Sequence, residues 1–549
     1  MIRARTAGRL VCIALLGAMA VVTAWASPVN LGGERIYRDG ILPSGAELQA
    51  DREQGMHLSG ATVACVACHR RSGLGMTEGA STIPPIAGIY LFNPRSRNGD
   101  DQNLPFVEGM RADREPYTAE TLARAIRSGI GANGKPLSML MPRFQLDDAA
   151  MAALIDYLRS LSPATVPGVD PATLHFATIV TPEADANTRR GVLAVLNEFF
   201  ADKNHYTRGQ SGHLRSAHRM MFKANRRWVL HVWDLHGASD TWEAQLRARL
   251  AAEPVFAVIS GAGGRNWAPV HRFCEAAALP CLFPNVDLPV VSEHDFDSLY
   301  FSRGVLLEAD LIAGSLTTHM PAGASGRIVQ IYRDGDVGAD AAARLASRLS
   351  ENPGEAPRKV LDSQVLSRQG GAGELAAALG RLRSGDVAVL WLRSGDVSRL
   401  GAAPPGEVSI YLSGRMAGLE FSPLPGAWRS VTQMSYPYDL PSRSRVQLDY
   451  PLGWFRIRQI PIVARQAQID TFLACQILSD TTNHMADTFV RDYLVERIER
   501  DIDHRIINAA YPRLTLAQGQ RFASKGGYLV HFAGASGPQL LADSQWTAP

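Results

Sequence analysis

The chain has 549 residues, too many for one hydrophobic core, so two to four domains are expected. Its formal charge of +3 is carried by Arg3, Arg5 and Arg9; the remainder is balanced, which argues against a nucleic-acid surface. The chain has six cysteines, and no stretch beyond the N-terminus approaches the length of a membrane span.

The three N-terminal arginines precede an apolar run from Leu10 to Val22, and Ala24-Trp25-Ala26 offers a small-x-small cleavage site. Basic, apolar and small residues in that order predict a signal peptide over 1–26, export to a periplasm and no span after cleavage. The alternative is a retained anchor, although the apolar run is short for one.

Cys65-Val66-Ala67-Cys68-His69 follows. Two thiols three positions apart suit addition to the two vinyl groups of one haem, with the adjacent imidazole as proximal iron ligand. Structural zinc would need two more ligands, and the sequence has no second C-x-x-C or H-x-x-x-H. A thioredoxin-like pair would sit in a strand–helix unit, whereas Gly and Pro surround this one. One such motif implies one covalently attached haem c, carrying one electron at a time.

His69 is the only histidine between His57 and His175, so a methionine is expected on the distal side of the iron. Met76, Met110, Met139, Met141 and Met151 are the candidates. Met141 is favoured because Pro142 stiffens its loop and Asp147 can cap a helix running to about Leu161, with Leu154, Ile155 and Leu158 on one face. Met139 is the main competitor, and Met151 reads as core. A further helix is expected from Thr118 to Ser128, ending at Gly129.

Residues 30 to 162 resemble the class I c-type cytochromes: a first helix with Gly33 and Tyr37, the haem-binding pentapeptide, a Met-Pro loop and a closing helix with Tyr157. The resemblance implies a small all-α domain over 27–162, a Gly33–Tyr157 helix crossing, and a proline carbonyl, best matched by Pro84, accepting the proximal histidine's N–H. The long connection from Gly88 to Met139, with Asn98-Gly99-Asp100-Asp101, departs from the family.

A Pro-rich linker is expected over 163–171, then a domain over 172–549. Strands at His175–Val180, Trp228–Trp233, Val255–Ser260 and Leu279–Phe283 alternate with helices at Thr188–Ala201, Thr241–Ala252 and Ala268–Ala278. A second set follows, with strands at Arg327–Tyr332, Val387–Leu392 and Val408–Leu412. Alternation of this kind predicts parallel sheets with crossover helices, here as two lobes. Arg513 to Val530 is read as a terminal strand hairpin. The charges Arg491, Asp492, Glu496, Arg497, Glu499 and Arg500 are read as a solvated helix face.

This region resembles the type I periplasmic binding proteins of the branched-chain amino-acid-binding class. The resemblance rests on strand Val255–Ser260, the turn Gly261-Ala262-Gly263-Gly264, the helix after it, and Pro280 to Pro284. It implies a ligand cleft reached by Ser260, Asn266, Trp267, Tyr332 and Ser413. Asn204 to Gln210 stands where the family has a glycine-rich hairpin.

Cys274 and Cys281, seven apart, suit a disulfide in an oxidising compartment, with two free thiols as the alternative. Cys475 reads as a buried thiol. His231 and Asp234 would face opposite sides of a strand, so they make no dyad. With no hydrolase, zincin or nucleotide motif, an electron carrier rather than an enzyme is expected. Its partners would be a dehydrogenase, oxidase or other cytochrome, and a small-molecule ligand. The alternatives are a solute receptor with a haem sensor, or the electron-accepting subunit of a periplasmic dehydrogenase.

Overall fold

A computed structural model describes residues 28–52, 55–78, 81–92, 115–161, 166–211, 226–292, 294–318, 326–351, 360–485 and 488–549. The expected signal segment, Met110 and Asn98 to Asp101 lie outside them. The described residues of 1–76, 85–94 and 112–162 form one compact unit, and those of 77–84 and 163–549 form another.

The smaller unit is built on a helix crossing. Helix Pro28–Asp39 packs against helix Asp148–Ser160, and a Cβ on Gly33 would stand 2.1 Å from the Ala153 carbonyl oxygen and 2.7 Å from Tyr157 Cβ. Only glycine permits that approach. The Tyr37 and Tyr157 rings lie 5.3 Å apart beside it. Asp147 caps the second helix by accepting the Ala150 N–H at 2.7 Å. Thr118 and Thr121 make a reciprocal cap on helix Ala119–Ser128, which ends at left-handed Gly129. Leu122, Ile126, Met151, Leu154 and Leu158 close one core with Ile36 and Tyr37.

The unit is not all-α. Strand Gln49–Arg52 pairs antiparallel with Met56–Ser59 and with Arg143–Gln145. Strands of three or four residues are too short for an alternating pattern to show in the sequence. Their partners are fixed only by tertiary pairing, and the third strand anchors the end of the Met-Pro loop.

In the larger unit, five parallel strands lie in the order Ser298–Leu299, Cys281–Leu282, Ala257–Ile259, Thr173–Val180, Arg227–Asp234. The second sheet repeats that arrangement with five parallel strands, in the order Val360–Leu366, Arg327–Arg333, Val387–Trp391, Ser409–Ser413 and Thr432–Tyr436. Antiparallel Tyr528–Phe532 and Leu540–Ala542 extend it. Each parallel set reads 2-1-3-4-5, the doubly wound order that leaves a crevice where the strand order reverses. The chain returns to the first lobe through helix Arg465–Met485, packed on helix Ala186–Ser211, before ending in the second.

Several expectations need correction. The helix expected over Thr188–Ala201 runs over Ala186–Ser211 and takes in Asn204 to Gln210. The terminal hairpin is Tyr528–Phe532 with Leu540–Ala542, while Arg513 to Gln520 holds only an isolated bridge, Ala517 with Gln520. Glu496, Arg497 and Glu499 are buried rather than solvated, and the Arg521 guanidinium, 22 residues further on, reaches Glu499. Within the expected linker, the Gly168 carbonyl accepts the His175 N–H at 2.9 Å, and a Cβ on Gly168 would meet the Phe256 nitrogen at 2.1 Å.

Candidate haem site and the cleft between the lobes

Cys65 precedes the single-turn helix Val66–His69, and its carbonyl accepts the His69 N–H at 2.8 Å. Both Cys65 and Cys68 are free thiols, partly exposed, and His69 is buried at 8% exposure. Burial pushes the Cys65 thiol up to about 12. The turn ends because Arg70 takes φ 64°, and its carbonyl is held by the Tyr37 hydroxyl at 2.6 Å. Gly73, at φ 70°, lets the chain fold back, so that its carbonyl accepts the Ile86 and Ala87 N–H groups at 2.7 and 3.1 Å. The segment following Pro84 is thereby tied to the cysteine turn.

Met141 is half-buried and packs against the same core as Cys65 and Val66. Met139 is 64% exposed, and Met151 lies within the core at 3%. The Met141 N–H bonds the Ser138 carbonyl at 3.1 Å, and the Arg143 guanidinium donates to the Met141 carbonyl. Two free thiols on one turn, a buried imidazole and a thioether on a braced loop form a donor set that fits a c-type haem. The two thiols and the imidazole are close in sequence, which is why the pentapeptide was legible.

The cleft of the larger unit is a different matter. Ser260 takes φ 53° at the end of its strand and is 1% exposed; its hydroxyl meets Thr471 Oγ1 at 2.9 Å and accepts from Asn285 at 3.0 Å. In the glycine turn, the Ala262 and Gly263 N–H groups are spent on the Ile179 and Asn285 carbonyls, both at 3.0 Å. Asn266 is held by Glu183 through backbone and side chain. Trp267 is 2% exposed in the lobe's core, and Tyr332 packs on the second core. Ser413 is fully buried and donates to Glu308 at 2.7 Å. Burial pushes the Glu308 carboxyl up, against the Arg415 N–H and the Ser413 and Ser435 hydroxyls that it accepts.

Across the lobes, Arg265 binds Asp340 through two bonds of 2.6 and 3.0 Å. Arg393 joins Asp336 of its own lobe and Asp287 of the other, each at 2.7 Å. Deeper in, Arg415 meets the Tyr438 hydroxyl at 2.6 Å, and Phe283, Phe301, Tyr511 and Tyr438 form a column with ring centroids 4.3 to 5.3 Å apart. Burial raises the Asp470 carboxyl to about 7, against the Arg415 charge and bonds from Gln466 and Tyr511. Sequence reasoning missed Arg265, Arg393, Arg415 and Asp470. For the three arginines the only signal was a position shortly after a strand's carboxyl end.

Elsewhere, Cys274 and Cys281 are joined by a disulfide, with Cα atoms 6.2 Å apart, and Cys475 is fully buried. His231 lies 3.0 Å from His175 across neighbouring strands, whereas Asp234 takes both bonds from Arg189.

Residues 53–162 match the family described as cytochrome c. That match covers the cysteine turn, the Met-Pro loop and the closing helix. Comparison with curated proteins returned no match. Solved structures similar to the chain include a fatty acid ABC transporter substrate-binding protein from Thermomonospora curvata, 11% identical, covering 70% of this chain and 95% of that one at a TM-score of 0.48. A possible leucine/isoleucine/valine-binding protein from Rhodopirellula baltica SH 1 is 14% identical, covering 70% and 98% at 0.48. A type 1 periplasmic binding protein from Bordetella pertussis Tohama I is 13% identical, covering 68% and 100% at 0.45. The chain thus joins a region that matches the cytochrome c family model to a two-lobed α/β region. Among the described residues, no helix is long and apolar enough to cross a membrane.

Proposed function

We propose that the protein is an exported electron carrier whose larger unit recognises a redox partner. The observation that carries this reading is the cysteine turn: two free thiols beside a buried histidine, with Met141 packed on the same core. Cys65 and Cys68 would hold one haem c, and His69 and Met141 would be its axial ligands. When bound, the haem supplies a one-electron couple. The protein's own part is to seat the imidazole in a dry pocket, brace the thioether loop through Arg143 and keep the cysteine turn in register through Tyr37.

For the larger unit, partner docking is favoured over solute capture. The groups expected to receive a solute, Ser260, Asn266, Ser413 and the Ala262 and Gly263 amides, already bond Thr471, Asn285, Glu183, Glu308 and Ile179 within the fold. The partner would be a dehydrogenase, oxidase or second cytochrome in the periplasm, reached after removal of residues 1–26.

The test is expression with haem-maturation machinery, followed by acid-acetone extraction. The colour is expected to stay with the protein in the wild type and to be lost in a Cys65→Ala, Cys68→Ala double variant. A wild type that gives up its colour to the solvent would overturn the reading. A thermal-shift screen of small molecules distinguishes the solute-binding alternative, since a ligand at a hundredfold excess over its dissociation constant stabilises by roughly 2.7 kcal/mol.

A further inference from the structure

We propose that His271, Glu275 and Asp295 form a binding site for a divalent first-row transition cation, on the first lobe and independent of the haem. His271 and Glu275 lie four residues apart on helix Ala268–Ala276, hence on one face. Asp295 comes from the loop before strand Ser298–Leu299. One donor atom from each residue lies within 4.8 Å of the other two. A cation about 2.1 Å from each ligand needs donors roughly 3–4 Å apart, which small side-chain rotations provide.

His271 and Glu275 are each held in place by partners outside the site. His271 is 4% exposed, with Nδ1 2.8 Å from the Tyr300 hydroxyl and Nε2 2.6 Å from Asp295 Oδ2. Fixing one ring nitrogen while the other faces the site is the usual arrangement of a metal-ligating histidine. Glu275 accepts the N–H groups of Phe296, Asp297 and Ser298 at 2.9, 3.2 and 2.8 Å. A carboxylate has about four acceptor positions, so one remains for a cation. Phe296 and Asp297 follow Asp295 in its loop and Ser298 opens the strand, so Glu275 also orders its fellow ligand. The Cys274–Cys281 disulfide pins the helix end to the adjoining strand.

Charge points the same way. The site offers two half-buried carboxylates beside one buried imidazole, and a divalent cation would offset the carboxylate charge. One nitrogen and two oxygen donors suit zinc, manganese or iron(II) better than calcium, which takes six to eight oxygens.

The test uses the full-length, haem-loaded protein, stripped of loosely bound metal and dialysed against micromolar zinc. Elemental analysis should find one zinc per chain beside the haem iron, and zinc should raise the melting temperature. Asp295→Asn and Glu275→Gln should each weaken zinc binding at least about tenfold. His504→Ala, an exposed histidine remote from these residues in sequence, should leave it unchanged. Melting curves without zinc identify any variant that fails to fold, and Asp295→Asn, the milder change, then decides. No stoichiometric zinc in the wild type, or undiminished zinc in folded Asp295→Asn, would overturn the proposal.

Discussion

At the residue scale, the distal ligand turns on two methionines two positions apart. Met141 lies half-buried against the core that takes Cys65, while Met139 points its thioether into solvent at 64% exposure. With haem bound, the oxidised protein should show a weak near-infrared sulfur-to-iron band that Met141→Ala abolishes and Met139→Ala leaves intact. Loss in Met139→Ala alone would transfer the role. Asp470 gives a second residue-scale prediction. Its carboxyl is raised from 3.8 to about 7 by burial, with Arg415, Tyr438, Tyr511, Glu308 and Gln466 around it. A raised carboxyl contributes stability that is full below its unfolded value and is lost as pH rises through the folded one. The melting temperature of Asp470→Asn relative to wild type should therefore increase between pH 5 and pH 8. A pH-independent difference would refute the assignment.

At the scale of elements, the Gly33 crossing organises the smaller unit. The contacting atoms are the Ala153 carbonyl oxygen and Tyr157 Cβ, and neither is a flexible side-chain end that could move aside. Gly33→Ala should cost about 1–3 kcal/mol by overpacking, despite the better helix propensity of alanine. Chemical denaturation followed at the haem absorbance would measure it, and a neutral or stabilising effect would contradict the close crossing. The helix cap at Asp147 and the helix end at Gly129 were legible because such stop and start signals are local chemistry. The strands Gln49–Arg52 and Arg143–Gln145 were not, since they are too short to show a period and their pairing spans most of the unit.

At the scale of the whole molecule, the larger unit is held between its lobes by Arg265–Asp340 and Arg393–Asp287, both partly exposed. Such pairs weaken as the screening length falls from about 8 Å at physiological salt to about 3 Å at 1 M. Small-angle scattering should report a larger radius of gyration in 1 M salt, and in an Arg265→Ala, Arg393→Ala variant at low salt. An unchanged radius in both would place the closure in the buried aromatic column instead. Cleavage near Pro167, with the haem potential compared before and after, would show whether the two units influence each other; linked but independent units should keep the same potential.

The sequence alone determined the features whose chemistry is local: the Cys65–His69 turn, the capped helices, and the alternation of strands and helices that makes two parallel sheets. What the cleft residues do was decided only by the tertiary structure. Ser260 and Ser413 look like free hydroxyls at strand ends until Thr471 and Glu308 arrive, 211 and 105 residues away along the chain. The same holds for Glu499, a surface charge by its neighbours in sequence and a buried one by its pairing with Arg521. Hydrogen bonds and ion pairs between distant segments leave no periodic trace in the sequence. Whether a polar group stays available for a ligand or is used within the fold therefore depends on the packing.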